Sequence, residues 1–126
     1  MTGNTNHISI ITLNVNGLNS SIKRHILAEW INKKHPTICC LQETNFIEKD
    51  IHRLKVKGWE KTIHAHGLRK RAMVSILISD KVNFKPKLVR SDKEGHFILL
   101  KRTINQEDIM ILNIYAPNNG ASLYIK

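Results

Sequence analysis

Residues 38–46 read ICCLQETNF, an apolar run that passes directly into Gln42, Glu43 and Thr44. The apolar part predicts a strand that is buried in a sheet. A carboxylate at the end of such a strand either marks the point where the strand meets water or belongs to a functional site. Two other stretches of the chain also carry an apolar strand into a polar residue, so the surrounding sequence has to distinguish these two interpretations.

A strand, a helix and a second strand follow one another between residues 8 and 42. Residues 8–15 are almost continuously apolar, which predicts a strand buried on both faces. Residues 19–21 offer Asn and Ser side chains as a helix N-cap, and Pro36 prevents the helix from continuing. The apolar face of this helix is predicted to contain Ile22, Ile26, Leu27, Trp30 and Ile31. The order strand, helix, strand is typical of a right-handed parallel crossover.

The second half of the chain is predicted to be mostly β structure. Residues 45–57 are mixed and polar, with space for one short helical turn. The strand candidates that follow are WEKTIHAH (59–66), MVSILIS (73–79), FKPKLVR (84–90), HFILLKRTI (96–104) and DIMILNIYA (108–116). Residues 105–108, NQED, predict a hairpin turn between the last two. Trp30 and Trp59 are expected to pack in the core rather than stack on bases.

The charge of the chain favours a polyanionic partner. Twenty Lys and Arg against ten Asp and Glu give a net charge of +10 and a pI near 9.9. Such an excess attracts nucleic acid in a salt-sensitive way, although a merely basic protein explains charge alone equally well. The composition, 41% hydrophobic and 24% charged, indicates a folded chain, and its 126 residues provide for one domain.

The cysteines and the chain termini give expectations about the compartment. Cys39 and Cys40 are adjacent on a predicted strand and therefore point to opposite faces, so we expect two reduced thiols rather than a disulfide. The sequence shows neither a signal-peptide pattern nor an apolar run of membrane-spanning length. We therefore expect an intracellular protein without a membrane partner.

Three strands carry polar residues at or just beyond their ends: Asn14, Glu43, and Tyr115 with Asn118. In mixed α/β folds, ligands bind outside the carboxyl ends of the strands, so these four residues are candidates for one site. Mg²⁺ is commonly held by one or two carboxylates plus a substrate phosphate, and Tyr and Asn can donate hydrogen bonds to phosphate oxygens. Each stretch alone is better explained as a turn or a solvated strand end; the combination suits phosphodiester cleavage.

The motifs LNVNGL (13–18), CLQET (40–44) and LNIYAPN (112–118), in this order and spacing, resemble the first half of the endonuclease/exonuclease/phosphatase superfamily. That superfamily includes apurinic endonucleases and the nicking endonucleases of non-LTR retrotransposons. Nearly the whole chain resembles the N-terminal endonuclease domain of the LINE-1 type retrotransposon reverse transcriptase, most clearly in residues 1–31, 52–59, 79–86, 92–101 and 111–121.

The resemblance implies a fold and a set of roles. The fold is a four-layer α/β sandwich, two packed mixed β-sheets flanked by helices, of which residues 1–126 would form an incomplete domain with the second half absent. Glu43 would be a Mg²⁺ ligand, Asn14 would support the metal and phosphate, and Tyr115 and Asn118 would contact the scissile phosphate. The partner would be DNA, with no small-molecule cofactor, and the oligomeric state stays open.

Several motifs of the family's second half do not occur in these residues, namely the GDFN-type Asp and Asn, a further Asp, and a terminal Ser-Asp-His stretch. No residue can therefore be assigned to deprotonate the attacking water, and we expect a truncated Mg²⁺-dependent DNA endonuclease that is inactive alone. We also expect the isolated chain to be marginally stable or prone to aggregation. The alternatives are a non-catalytic basic nucleic-acid-binding fragment and a retroelement-derived reading frame without activity. The charge argues against a phosphoinositide or sphingomyelin phosphodiesterase.

Two local features complete the expectations. Met73 stands where related sequences tend to have Gly, and Ser75 where they have a small apolar residue, which predicts relaxed packing. His64 and His66 lie two apart on a probable strand, and we interpret them as exposed histidines rather than metal ligands because no suitable third ligand is nearby. The basic residues 68–71 could contact DNA phosphates or form part of a nuclear address, which favours the nucleus over the cytoplasm, but a solvated basic loop explains them equally well.

Overall fold

The computed structural model describes residues 8–65, 71–82, 88–91, 95–104 and 107–115. The first strand and helix are β1 (Ile10–Asn14) and α1 (Ser21–Lys34); β2 (Ile38–Ile47) and a 3₁₀ helix (Glu48–Arg53) follow. The remaining strands are β3 (Lys61–His64), β4 (Arg71–Ile78), β5 (Leu88–Ser91), β6 (Phe97–Ile104) and β7 (Glu107–Ile114). Every predicted strand is present, and the short helical turn after β2 is confirmed.

The strands form two sheets. The first has the order β1-β2-β4-β3, with β1 parallel to β2 and the other pairs antiparallel, so the predicted parallel crossover is confirmed. The second has the order β5-β6-β7 and is antiparallel throughout its described strands. The pairing of β6 with β7 confirms the hairpin, whose turn residues 105 and 106 lie outside the described residues.

Two hydrophobic cores lie on opposite faces of the first sheet. The helix-side core is formed by Leu18, Leu27, Ile31, Cys39, Leu41, Phe46, Leu54, Val56, Trp59, Ala72 and Leu77. The inter-sheet core is formed by Ile38, Cys40, Ala65, Val74, Ile76, Ile78, Ile98, Leu100 and Ile111. Because successive strand residues point to opposite faces, β2 supplies alternate side chains to both cores, which is why its apolar run is continuous.

The cysteines show this alternation directly. Cys39 packs in the helix-side core, Cys40 packs in the inter-sheet core, and both are free thiols, as predicted. Burial raises the pKa of Cys39 from 9.0 to about 12, with a further contribution from Cys40, and burial raises the pKa of Cys40 to about 11. Both side chains are therefore inert core thiols at neutral pH.

The helix is capped as predicted but packs by a narrower face. Ser20 is the N-cap and accepts a hydrogen bond from the backbone of Lys23, and His35 ends the helix in the left-handed conformation, just before Pro36. Leu27 and Ile31 are buried, whereas Ile22 and Ile26 are exposed, so the prediction of a common apolar face was wrong for these two. Ile22 is the more exposed of the two, whereas Ile26 borders an open apolar groove with Leu13, Leu18 and Trp30.

The burial predicted for residues 8–15 was also wrong. β1 is an edge strand of the described sheet, and its side chains alternate between exposed and half-buried, with Ile10 exposed. β7 is likewise an edge strand, with Met110, Leu112 and Ile114 exposed. Apolar residues on open strand edges favour self-association, so the expected tendency to aggregate stays a prediction with a structural reason. Neither of the helices described is long and apolar enough to cross a bilayer.

Ser75 has a hydrogen-bond partner in the core. It is fully buried on β4, and its hydroxyl is hydrogen-bonded to Nδ1 of His64 at 2.7 Å. The relaxed packing expected at Ser75 stays a prediction, since a hydrogen bond does not measure packing. The Met73 amide donates to the Gly95 carbonyl at 3.1 Å, and nothing in the structure assigns a cost to the Met73 side chain. His66 lies outside the described residues.

The tryptophans differ in burial. Trp59 is buried in the helix-side core, where its indole N–H donates to the Pro36 carbonyl at 2.8 Å, as expected for a core tryptophan. Trp30 is half-buried at the edge of that core, with the ammonium of Lys34 5.9 Å from its ring centroid.

Candidate active site

Glu43 lies within a strand rather than at its end. β2 continues to Ile47, and between Gln42 and Phe46 it bulges, so that residues 43–45 oppose only residue 73 on β4. Glu43 and Asn45 both have positive φ, at 57° and 54°, which non-glycine residues rarely adopt. Thr44 between them is buried and donates its hydroxyl to the Ala72 carbonyl at 2.8 Å, which anchors the bulge. The bulge thus turns one carboxylate out of a buried strand.

Asn14, at the end of β1, contacts this carboxylate. Its amide Nδ2 donates to Oε2 of Glu43 at 2.6 Å, a short hydrogen bond of the kind made to a charged acceptor. Its Oδ1 accepts from the backbone N–H of Asn16 at 3.2 Å. Both ends of the amide are therefore engaged, and the two residues form one unit, which we call the Asn14–Glu43 pair.

The loop after β1 continues alongside the bulge. The amides of Val15, Gly17 and Leu18 donate to the carbonyls of Gln42, Glu43 and Thr44 at 3.0, 2.7 and 2.9 Å. Asn16 and Gly17 have φ of 52° and 93°, so the loop turns in a conformation that glycine adopts freely at the second position. These backbone bonds fix the loop against the bulge and thereby hold the two members of the pair together.

A second polar cluster lies beside the pair and joins the two sheets. Asn113 of β7 is buried; its Nδ2 donates to the carbonyls of Leu41 and Ser75 at 3.1 and 2.8 Å, and its Oδ1 accepts from Gln42 Nε2 at 2.7 Å. The Gln42 amide also contacts the Thr12 hydroxyl, with Nε2 to Oγ1 at 2.9 Å. We call Asn113, Gln42 and Thr12 the inter-sheet amide cluster.

The pair and the cluster line one open cavity of about 650 Å³, together with residues of β7 and Tyr115. Tyr115 follows β7; its amide donates to the His96 carbonyl at 2.7 Å, and its ring meets the His96 ring edge-on with centroids 5.8 Å apart. The structure thus brings Asn14, Glu43 and Tyr115 to the same cavity, as predicted. Asn118 lies outside the described residues.

The donor set suits a hydrated hard cation. Glu43 offers a carboxylate at the cavity, and Mg²⁺ prefers oxygen ligands while keeping several waters. Asn14 presents its NH₂ group to that carboxylate, so it acts as a hydrogen-bond donor that orients Glu43. Over the described residues, no group of three or more His, Cys, Asp or Glu could hold a metal ion. The residues present therefore fit a cation that takes one carboxylate from them.

Sequence reasoning missed the inter-sheet amide cluster, although Gln42 and Asn113 stand inside the motifs CLQET and LNIYAPN. Each of these residues is a primary amide within an otherwise apolar strand, a pattern that could have predicted a buried polar contact. Such a residue must find partners when it is buried, and here it finds them in the opposite sheet. The bulge at residues 43–45 carried no comparable signal, because Glu, Thr and Asn are compatible with an ordinary strand end.

Comparisons with known proteins agree with this arrangement. The chain is 30% identical to the DNA repair nuclease APEX1 of Danio rerio, covering 96% of this chain and 40% of that protein. It is 29% identical to a DNA-(apurinic or apyrimidinic site) endonuclease of Dictyostelium discoideum, covering 91% of this chain and 32% of the relative. The chain therefore spans about a third to two fifths of the curated relatives it matches.

Solved structures show the same fold. The AP endonuclease LMAP of Leishmania major superposes on 93% of this chain with a TM-score of 0.68, at 19% identity and over 42% of its own length. An AP endonuclease of Archaeoglobus fulgidus matches 82% of this chain with a TM-score of 0.54 and 27% identity, over 40% of its own length. Residues 11–123 match the Endonuclease/Exonuclease/phosphatase family, a range that includes all of the strands and the cavity lining except Ile10. The chain belongs to that family.

Proposed function

We propose that the chain carries part of the active site of a divalent-cation-dependent DNA endonuclease, with Mg²⁺ as the cation. The observation that supports this most strongly is the Asn14–Glu43 pair, a carboxylate turned out of a buried strand and hydrogen-bonded at 2.6 Å on the wall of an open cavity. A carboxylate held by a rigid strand and a hydrogen-bonding neighbour is the preorganised element that a metal-assisted phosphodiester cleavage requires.

Each residue of the cavity has a proposed part. Glu43 binds the cation, and Asn14 fixes the orientation of that carboxylate. Tyr115 and Asn118 donate hydrogen bonds to the non-bridging oxygens of the scissile phosphate. The inter-sheet amide cluster keeps the β1–β2 edge and β7 at a constant separation. When bound, the cation supplies neutralisation of the charge that develops on the phosphate and on the leaving oxygen.

DNA is the proposed substrate. The net charge of +10 favours a polyanion, and the two curated relatives are named for action on DNA. Within the family, we propose that the chain derives from the nicking endonuclease of a LINE-1 type retrotransposon, because the similarity extends over residues 1–31, 52–59, 79–86, 92–101 and 111–121. We also propose that the chain acts in the nucleus, because a DNA substrate and the basic residues 68–71 both favour that compartment.

We further propose that residues 1–126 form an incomplete domain that binds DNA but does not turn over by itself. The parts proposed for Glu43, Asn14, Tyr115 and Asn118 leave no residue of the site to act as the general base. General-base catalysis typically contributes a factor of roughly 10² to 10⁴, so cleavage without it should be slower by at least that factor.

A nicking assay on supercoiled plasmid tests the proposal. The chain is assayed alone and as a fusion to the C-terminal half of a LINE-1 type endonuclease domain, with Mg²⁺ and with EDTA. We expect nicking only by the fusion with Mg²⁺, and a loss of roughly a hundredfold or more in the fusion carrying Glu43→Gln. Glu29→Gln makes the same change of charge at an exposed position of α1 outside the cavity, and this matched control should keep full activity. Full activity in Glu43→Gln would contradict the role of the carboxylate.

A second candidate is a non-catalytic nucleic-acid binder, which the charge alone favours. Its signature would be DNA binding that weakens steeply with salt and that is the same for Glu43→Gln and the unmodified chain. Such a result, combined with an inactive fusion, would replace the nuclease proposal.

A further inference from the structure

Lys23 makes an unusual pair of contacts in the first turn of α1. Its ammonium donates to the carbonyl of Val15 at 2.9 Å and to the carbonyl of Asn16 at 2.7 Å. Both acceptors belong to the loop that leaves β1 directly after Asn14. A single side chain from the helix therefore binds two consecutive carbonyls of the loop that carries one member of the Asn14–Glu43 pair.

The position of this lysine is unfavourable for the helix itself. The N-terminus of a helix carries partial positive charge, so acidic residues are preferred in the first turn and cations are disfavoured. The first turn of α1 contains no acidic residue, and Lys23 lies three residues after the N-cap Ser20. A residue that breaks a local preference is usually retained for something it does elsewhere, and the two carbonyl contacts are what Lys23 does.

These contacts reach the carboxylate through a short chain of hydrogen bonds. Lys23 donates to the carbonyl of Asn16. Asn16 has a positive φ of 52°, and its backbone N–H donates to Oδ1 of Asn14. Because Oδ1 is occupied in this way, the NH₂ group of Asn14 faces Oε2 of Glu43. An amide that turned over would instead present an oxygen to the carboxylate, which is repulsive.

We infer that Lys23 is a positioning residue for the Asn14–Glu43 pair: it holds the loop at residues 15 and 16 so that the Asn14 amide donates to Glu43. That the pair binds a cation rests on the proposed function, whereas the positioning of the loop by Lys23 does not. By positioning Glu43, Lys23 should strengthen cation binding, whereas its positive charge should weaken it.

The positioning is tested without metal by amide hydrogen exchange, measured by NMR at Asn16 and Gly17. In Lys23→Met the loop loses both contacts, and we expect exchange at these amides to become roughly tenfold faster or more, since local opening controls their protection. Lys23→Arg keeps a donor that can reach the carbonyls and should stay within about threefold of the unmodified chain. Lys33→Met, about 15 Å along the same helix by its rise per residue, removes an equal charge and should change nothing. Unchanged exchange in Lys23→Met would overturn the inference.

The sign of the effect on cation binding provides a second test, with Mn²⁺ as the probe and electron paramagnetic resonance as the readout. Removing a nearby positive charge should by itself tighten Mn²⁺ binding a few-fold. Losing the positioning of a ligand should weaken it roughly tenfold, and we expect weakening in Lys23→Met with recovery in Lys23→Arg. Tighter or unchanged binding in Lys23→Met would overturn the inference. If the unmodified chain and Glu43→Gln bind Mn²⁺ equally, the proposed function fails, and the exchange rates still decide the role of Lys23.

Discussion

Two asparagines on the same cavity differ in almost every physical respect. Asn113 is 2% exposed, and its amide bonds two carbonyls and a glutamine side chain from the opposite sheet. Asn14 is exposed, and its amide bonds one carboxylate and one loop N–H. The first amide is surrounded by groups that define the fold, and the second is turned toward solvent and a charge.

The difference separates scaffold from chemistry within one cavity. A buried amide with all its partners in place stabilises a single arrangement of the two sheets, because any shift leaves polar groups unpaired. An exposed amide can exchange its partners for water at little cost, so its position next to Glu43 contributes to function rather than to stability. The same substitution at the two sites should therefore have very different consequences.

The largest effect is expected for Asn113→Asp. The new carboxylate would face the carbonyl oxygens of Leu41 and Ser75, which now accept from the NH₂ group. One carboxylate oxygen would keep Gln42 Nε2 as a donor, but the other would face two carbonyl oxygens. Such a poorly paired buried charge costs several kcal/mol, so we expect the free energy of unfolding to fall by about 3 kcal/mol or more. Urea unfolding followed by tryptophan fluorescence, to which the buried Trp59 contributes, measures this.

Asn113→Ser is the control for that substitution. It removes the same amide without adding a charge, and we expect a loss of about 1 to 3 kcal/mol. If Asn113→Asp unfolds at the same urea concentration as the unmodified chain, the cluster does not hold the sheets together and the comparison fails.

A smaller effect is expected from alkaline pH. The folded pKa values of Cys39 and Cys40, about 12 and about 11, lie above the ordinary value of 9.0. Between pH 9 and 11 the unfolded chain therefore releases thiol protons that the folded chain keeps. The contribution of the thiols to the free energy of unfolding is fully present below pH 9 and decreases as the pH rises. We expect a loss of roughly 2 to 3 kcal/mol by pH 10, measured by urea unfolding across this range.

The slope of the unfolding free energy against pH shows whether the thiols are responsible, whereas the stability at pH 7 does not. Replacing both by alanine should remove their part of the slope, although Lys and Tyr also titrate in this range and leave a remainder. An identical slope in Cys39→Ala/Cys40→Ala would show that the thiols do not contribute to the pH dependence.

The elements of the fold were predictable because their signals are local. Capping side chains, helical spacing and the two-residue strand period identified α1 and every strand. The exposure of β1, Ile22 and Ile26 was not predictable. An apolar pattern indicates that a segment can pack against a neighbour, but not whether that neighbour is present.

The site was predictable in position but not in mechanism. The ends of parallel strands meet at one sheet edge, which is why Asn14 and Glu43 were expected together. The bulge that gives Glu43 a positive φ depends on β2 pairing with β4 over a shifted register, which is a long-range property. The orientation of the Asn14 amide and the contacts of Lys23 depend in turn on that bulge, so no local pattern announced them.

Ser75→Ala is expected to lower the free energy of unfolding by less than the substitutions and the pH change above. The hydroxyl pairs with His64 Nδ1 at 2.7 Å, and alanine removes this hydrogen bond without changing the carbonyl that accepts from Asn113. We expect a loss of about 1 kcal/mol in unfolding free energy. A gain in stability would show that an apolar residue is preferred at this position, as the sequence alone had suggested.

The smallest effect on stability is expected for Asn14→Asp, the partner experiment to Asn113→Asp. The new carboxylate is exposed to water, so at pH 7 the free energy of unfolding should change by less than about 1 kcal/mol.

Its oxygens repel the Glu43 carboxylate, however, and a divalent cation that bridges the two would relieve that repulsion. We therefore expect Mg²⁺ to raise the melting temperature of Asn14→Asp more than that of the unmodified chain, in proportion to the affinity that the second carboxylate adds. Thermal unfolding with and without Mg²⁺ measures the difference, and Ca²⁺-free EDTA buffer gives the baseline. A response to Mg²⁺ that is the same in both proteins would mean that the Asn14–Glu43 pair does not face a cation site, and the contrast between the two asparagines would then be one of burial alone.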